Sequence, residues 1–379
     1  MRQPEQQRPT WAEIDLNALA QNLHSVRNFI GEGIKVMAVV KANAYGHCAV
    51  ECSQRLETEA VDWLGVAITE EAVEIREADV KTPILCFGSF WPGQEQLLFE
   101  HEITPAIFDL ERAAVLDAKA RELGVTKDVH VKIDTGMGRV GIPYRDAAEW
   151  ADEFRRFENL HVEGLMTHFA AADDLADEFT SLQMRRFADA VSAFHEKGFR
   201  PTILDMANSP GAVAHSDSRA TMVRAGGILY GLGDDVLPKG IERPELTPVM
   251  SVHSRIAYIK KIPAGESIGY GRTFTTKRES LIGTVPIGYH DGFRRALSNS
   301  GKVIVKGKHV PVVGRVSMDW ITIDLTGLTN VNFGDEVVLL GSEGESRITA
   351  EEVGALTGTI SYEVTCGIDQ RVRRIYVSG

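Results

Sequence analysis

Apolar residues recur at helical spacing over residues 16–30, 48–60, 70–78, 93–100, 110–123, 145–157 and 178–197. Short apolar runs rich in β-branched residues alternate with these stretches: KVMAVV (35–40), WLGVAI (63–68), PILCFG (83–88), TPAIF (104–108), VHVKID (129–134), VEGLMTH (162–168), TILDMA (202–207) and TMVRAG (221–226). Strands that alternate with helices predict right-handed βαβ units and a parallel sheet. Eight such units over about 230 residues predict a (β/α)8 barrel. After Pro244 the helical pattern thins. Runs of β type appear at 249–262, 280–288, 302–316, 320–325 and 336–341, punctuated by Gly and Asp. They predict a second, mostly antiparallel β-domain. ITAEEVGALTG (348–358) reads as one helix inside it, with Thr349 at the N-cap and Glu352 three residues later as a capping box. The fold class is thus α/β plus β, with a barrel domain over 1–240 and a β-domain over 241–379. PKGIERPELTP near residue 240 reads as the linker, and the first ~11 residues are free to pack on the β-domain.

Composition narrows the function. Hydrophobic residues make up 44% and charged residues 25% of 379, ordinary for a globular enzyme and enough for a large core. The net charge of −12 argues against a nucleic-acid surface or an anionic membrane patch. Four cysteines form no disulfide framework, which fits reduced thiols in the cytoplasm. YGHCAVEC (45–52) reads as a helix with two half-buried thiols. The opening MRQPEQQRPT lacks the apolar stretch of a signal peptide, and no run approaches a membrane span. No metal is expected, because His47, Cys48 and Cys52 form no recognised ligand set and neither HExxH nor an EF-hand loop occurs.

In a barrel, residues at the C-terminal ends of strands face the reaction site. The first strand ends at Lys41, with Tyr45 and His47 just beyond. An amine closing an apolar run is partly desolvated, which lowers its pKa and suits a Schiff base; a lysine that only caps the strand end fits the same pattern. On strand five Lys132 and Asp134 share one face, plausibly the inward one, and Arg139 follows a Gly-rich turn that either binds an anion or is simply structural. Thr167 and His168 end strand six, where a histidine is either catalytic or just hydrogen-bonded. Asn208 and Ser209 open a short helix or a loop. Arg224 closes strand eight, followed by Gly226 and Gly227, whose amides suit a phosphate. Together with the strand-end lysine they suggest pyridoxal 5′-phosphate. In the β-domain, SIGYGRTF (267–274), GYHDGFRR (288–295) and GRVSMDW (314–320) stand out, although each could be hairpin turn chemistry.

Taken together these clusters closely resemble the alanine racemase family. VVKANAYGHC, KIDTGMGRVG, EGLMTHFA, ANS, VRAGGILYG, GYGRTF, PIGYHDGF, GRVSMDW and ISYEVTCGI match its blocks in order along essentially the whole chain. The resemblance implies a cytoplasmic homodimer whose active sites are shared between chains. It implies interconversion of L- and D-alanine through an external aldimine and two-base proton transfer at Cα, supplying D-alanine for the peptidoglycan of the cell wall. By it, Lys41 carries the cofactor and acts as one base, and Tyr270 from the partner subunit is the other. Tyr45, Ser209, Tyr362, Gly226 and Gly227 hold the phosphate. Arg224 faces the pyridine nitrogen, backed by His168. Arg139 and the backbone of Met318 meet the substrate carboxylate. Lys132 matches a lysine often carbamylated in the family and holds Arg139. Asn208 and Asp319 support their neighbours, and Tyr289 and Arg295 line the entrance. Four positions depart from the usual pattern: Ser317, Pro210, Gly227 and Asp205. Two alternatives stand beside this reading. One is a racemase of another small amino acid such as serine. The other is a fold-related decarboxylase, against which Arg224 and GYGRTF argue.

Overall fold

The computed structural model describes residues 8–377, which form two compact units. One is Leu19–Thr247; the other joins the described residues through Ala18 to those from Pro248 onward. Residues 1–7, most of the polar opening segment, lie outside the described residues.

The first unit is a closed barrel of eight parallel strands: β1 (Lys35–Val39), β2 (Trp63–Val66), β3 (Ile84–Cys86), β4 (Ile103–Ile107), β5 (Lys127–Asp134), β6 (Leu160–Met166), β7 (Ile203–Asp205) and β8 (Met222–Ala225). They pair in chain order, and β8 returns to β1 with Val223 opposite Val36. Each β-branched run of the sequence became one of these strands, because a strand covered on both faces requires nearly continuous apolar character. Inside, Met37, Trp63, Leu85, Ala106, Met166, Ile203 and Met222 form one cluster, so the barrel is a packed core rather than a pore. The helices lie where the periodicity put them, for example Leu110–Leu123, started by Asp109 accepting from the Arg112 amide at 2.7 Å. One local expectation fails: Cys48 precedes the helix Ala49–Thr58, and Cys52 is fully buried rather than half-buried.

In the second unit, Thr10–Asp15 sits between Met250–Arg255, antiparallel, and Arg373–Val377, parallel. That sheet continues through Glu336–Glu343, Lys302–Val305 and Lys308–Pro311. A separate three-stranded sheet holds Tyr258–Ile262, Ser280–Val285 and Ile321–Asp324. The apolar run 249–262 is therefore two strands in two sheets. The switch falls at Ile256, whose amide donates to Asp335 O (2.9 Å), and Ala257, whose amide donates to Thr284 O (2.8 Å) on the other sheet. The run 302–316 likewise folds into a hairpin that turns at Lys306 and Gly307, both at positive φ. The capping box forms as expected, with Thr349 Oγ1 accepting from the Glu352 amide at 3.1 Å and Glu352 Oε2 from the Thr349 amide at 3.1 Å. No pattern foretold the helix Ser361–Cys366, which has six residues and too little periodicity to register.

Candidate active site

Lys41 lies just past β1, one residue beyond Val40, and is half-buried. It has the strand parity of Met37, whose side chain lies in the barrel cluster. The chain then makes a turn of the wrong hand. Ala42, Asn43, Ala44 and Tyr45 all have φ between 52° and 55°, and none is glycine. A left-handed turn costs roughly 1–2 kcal/mol per residue, so the surroundings must hold it. Glu71 does so with both oxygens: Oε1 accepts from the Ala42 amide (2.6 Å) and Oε2 from the Ala67 amide (2.8 Å). Asn43 Oδ1 accepts from the Ala49 amide at 2.8 Å, and the buried Tyr230 ring lies 5.0 Å from Tyr45 and 4.6 Å from His47.

This turn carries Tyr45 to the end of β8. A methyl group placed on Gly226 would lie 2.7 Å from Tyr45 Oη and 3.6 Å from Ser209 Oγ, so only glycine lets these groups converge. The Gly226 amide donates to Ser209 Oγ at 2.9 Å. Ser209 begins a short helix capped by Asn208, whose Oδ1 accepts from the Gly211 amide at 3.0 Å. Two hydroxyls thus converge on the backbone at Gly226–Gly227, a set of donors that suits a phosphate.

Beside this cradle runs a cationic cluster. Arg224 is buried in β8, and its Nη2 donates to Thr167 O (2.9 Å), Met206 O (3.2 Å) and His168 Nδ1 (3.1 Å). Arginine cannot accept a proton, so Nδ1 accepts and His168 is the neutral Nε2–H tautomer. Burial, and then the charge of Arg224, push His168 down to about 2, in keeping with that tautomer. Lys132 is buried in β5; burial first, then Arg224 and Arg139, push its amine down to about 7. Arg139 is exposed on the following loop. Asp134 ends the same strand, two residues on from Lys132, and is half-buried. Its carboxylate caps the Gly-rich turn, accepting from the amides of Gly136 (2.9 Å) and Gly138 (3.1 Å).

The second unit gathers its own set. A methyl group on Gly288 would meet Met318 O at 2.3 Å, and the Tyr289 and His290 amides donate to Ser317 O (3.0 Å) and Met318 O (3.2 Å). Tyr289 and Met318 therefore stand together. Tyr270 projects from a turn with Gly269 and Gly271 at positive φ, packed on Arg315 three residues before Met318. Asp319 accepts from Arg371 Nη2 at 2.6 Å. Arg295 is exposed on a short 3-10 turn, and Tyr362 is half-buried in the helix Ser361–Cys366. Asp291, which sequence reasoning passed over, anchors this region. Burial pushes its carboxyl up, but Arg8 (2.6 Å) and Arg371 (2.6 Å) together hold it below the usual range. Glu71 and Asp205 were also missed as working parts. A lone acid beside an apolar run was the available signal.

A barrel of this topology, with an amine at the end of its first strand and a hydroxyl-lined cradle at the end of its last, is the fold of a (β/α)8 enzyme suited to a phosphorylated cofactor. The family models for the N-terminal and C-terminal domains of alanine racemase match residues 14–234 and 249–376. An alanine racemase of Halothermothrix orenii is 41% identical over 97% of each chain. The solved alanine racemase of Clostridium difficile 630 superposes with a TM-score of 0.91 at 40% identity, covering 97% of this chain and 96% of that one. That of Bartonella henselae, solved with covalently bound pyridoxal phosphate, gives 0.86 at 28% identity, covering 97% and 99%. The chain belongs to the alanine racemase family, a family of isomerases dependent on pyridoxal 5′-phosphate. Among the described residues no helix is long and apolar enough to cross a membrane.

Proposed function

We propose that this protein interconverts L- and D-alanine by exchanging the Cα proton between two bases on opposite faces, in a homodimer whose active sites are shared between chains. The observation that carries the reading is the cradle at Gly226, where a side chain of any size would displace Tyr45 Oη. The residues fit pyridoxal 5′-phosphate: Tyr45, Ser209, Tyr362 and the amides of Gly226 and Gly227 would hold its phosphate, Asn208 would fix Ser209, and Lys41 would bind its aldehyde carbon. When bound, the cofactor supplies an electron-withdrawing ring that acidifies the Cα–H of an amino acid.

The protein does the rest. Lys41 takes or returns the proton on one face, and Tyr270 of the partner subunit does so on the other, so the substrate need not turn over. Arg139 and the backbone N–H of the partner's Met318 fix the substrate carboxylate. Arg224 would face the ring nitrogen as a cation that has no proton to give, backed by neutral His168. Such a neighbour would limit the ring's electron demand and favour quick return of the proton over side reactions. Lys132 would hold Arg139; about half of an amine near 7 is free of its proton at neutral pH and able to react with carbon dioxide, which suits carbamylation. Tyr289 of the partner subunit and Arg295 of the partner subunit line the entrance, with Asp319 steadying the Met318 loop. In the single chain Tyr270 is 73% and Met318 52% exposed, which supports their being offered to a partner. Leu19–Thr247 would form the cofactor domain, and the described residues through Ala18 together with those from Pro248 onward would form the domain that completes the partner's site. The setting is the cytoplasm, where the product D-alanine feeds peptidoglycan. Polarimetry tests the reading: holoenzyme should bring the rotation of pure L-alanine to zero. Unchanged rotation with the cofactor bound would refute it, and faster loss from L-serine would reassign the substrate.

A further inference from the structure

The barrel interior is apolar along most of its length, yet it encloses one carboxylate away from solvent. Asp205 ends β7 and is fully buried, paired in register with Met166 and Met222, both members of the interior cluster. Its carboxylate forms an ion pair with Nη1 of Arg224. No described donor meets either oxygen in hydrogen-bonding geometry, so this ionic contact is the main compensation for its charge. His130 and Lys132 of β5 face it at longer range. Burial pushes the carboxyl above the usual carboxylate range, and Arg224 offsets only part of that. Stability alone does not explain such a pair, because an apolar residue of similar size packs as well, whereas one partner alone is a dry, unpaired charge.

The pair touches the machinery at one point. Arg224 is gripped at Nη2 by Thr167, His168 and Met206, and at Nη1 by Asp205. We propose that Asp205 is a positioning residue for the reaction: its carboxylate fixes the Arg224 guanidinium from inside the barrel and lowers the net charge that Arg224 presents to the cofactor ring. This rests on the reading above that Arg224 faces the ring nitrogen. An isolated guanidinium would strongly oppose a proton on that nitrogen; an arginine–carboxylate pair opposes it less. Asp205 would then raise the electron demand of the ring and ease departure of the Cα proton without offering the ring a carboxylate directly.

The test compares wild-type holoenzyme with Asp205→Asn and Arg224→Lys, reading kcat, KM and the visible absorbance of the bound cofactor against pH. Asp205→Asn should lower kcat by ~10-fold or more while KM stays within ~3-fold, the signature of an electrostatic contribution made mainly in the transition state. The pH midpoint of the absorbance change should move down by at least ~0.5 unit, because the guanidinium now acts with its full charge. A folded, cofactor-loaded Asp205→Asn enzyme with kcat and midpoint unmoved would overturn the proposal, even if its melting temperature fell. Arg224→Lys separates the two readings. If it leaves the cofactor absorbance unchanged, the placement of Arg224 at the ring fails and this proposal falls with it. If it moves the absorbance and Asp205→Asn does not, this proposal fails alone. Should the Asn variant not fold, Asp205→Glu carries the test. It keeps the charge but displaces it by one methylene, so the midpoint must move, and an unmoved midpoint overturns the proposal.

Discussion

Replacing Lys132 with methionine should stabilise the protein, and by an amount that depends on pH. The side chain is 5% exposed, and its amine is pushed down to about 7. In the unfolded chain the same amine titrates near ~10.4. Between those values the unfolded chain holds a proton that the folded protein lacks, so stability rises with pH through the window. Below about 7 both states are protonated and the full penalty of a buried cation remains. At ~1.4 kcal/mol per unit, a gap of ~3.4 units makes that penalty about 5 kcal/mol. It is still ~4 kcal/mol at pH 6.5 but only ~2 kcal/mol at pH 9. Methionine keeps the volume and removes the charge. Urea unfolding of wild type and Lys132→Met in carbon-dioxide-free buffer should therefore differ by ~4 kcal/mol at pH 6.5, with the gap closing by ~2 kcal/mol at pH 9. A gap that stays constant across that range, or a less stable variant at pH 6.5, would refute the reasoning. Adding bicarbonate should flatten the slope for wild type, because a carbamate no longer titrates as an amine.

Borohydride reduction of the holoenzyme should leave the pyridoxyl group on the peptide that contains Lys41; label on Lys132 would move the cofactor's anchor. Mixing inactive Lys41→Ala with inactive Tyr270→Ala should restore activity, since a mixed dimer has one site with both defects and one with neither. Mixed dimers that form but stay inactive would mean each site is built from one chain. In Tyr270→Phe, exchange of the Cα deuteron of D-alanine into solvent should persist, while that of L-alanine drops by ~10²–10⁴-fold. Equal loss from both enantiomers, followed by NMR, would point to a single base.

The barrel was legible because strands covered on both faces read as nearly continuous apolar runs between turn residues, as in KVMAVV and WLGVAI. Residues that end those strands, such as Lys41 and Arg224, were legible for the same reason: a charge closing an apolar run is conspicuous. Their roles came from the family blocks rather than from spacing. Other features left little local trace. The run 249–262 has uniform β character, and nothing within it says that the hydrogen bonds of Ile256 and Ala257 go to different sheets. The grip on Asp291 joins residues 283 and 80 positions apart. Asp205 stood out only as a departure from the usual family pattern, because its meaning lies in what faces it across the barrel.

The left-handed turn after Lys41 also sets what the chain can tolerate there. Side chains branched at Cβ fit that backbone region worst, so Val, Ile and Thr should be almost absent among functional variants at 42, 43 and 44, although 42 and 43 are solvent-exposed. Glycine should be accepted and should even raise thermal stability at Ala42, where no side-chain contact is lost. The same change would loosen the link between the lysine and Tyr45. A saturation library over this segment, selected once for soluble protein and once for turnover, should therefore yield two different winners at the same codon.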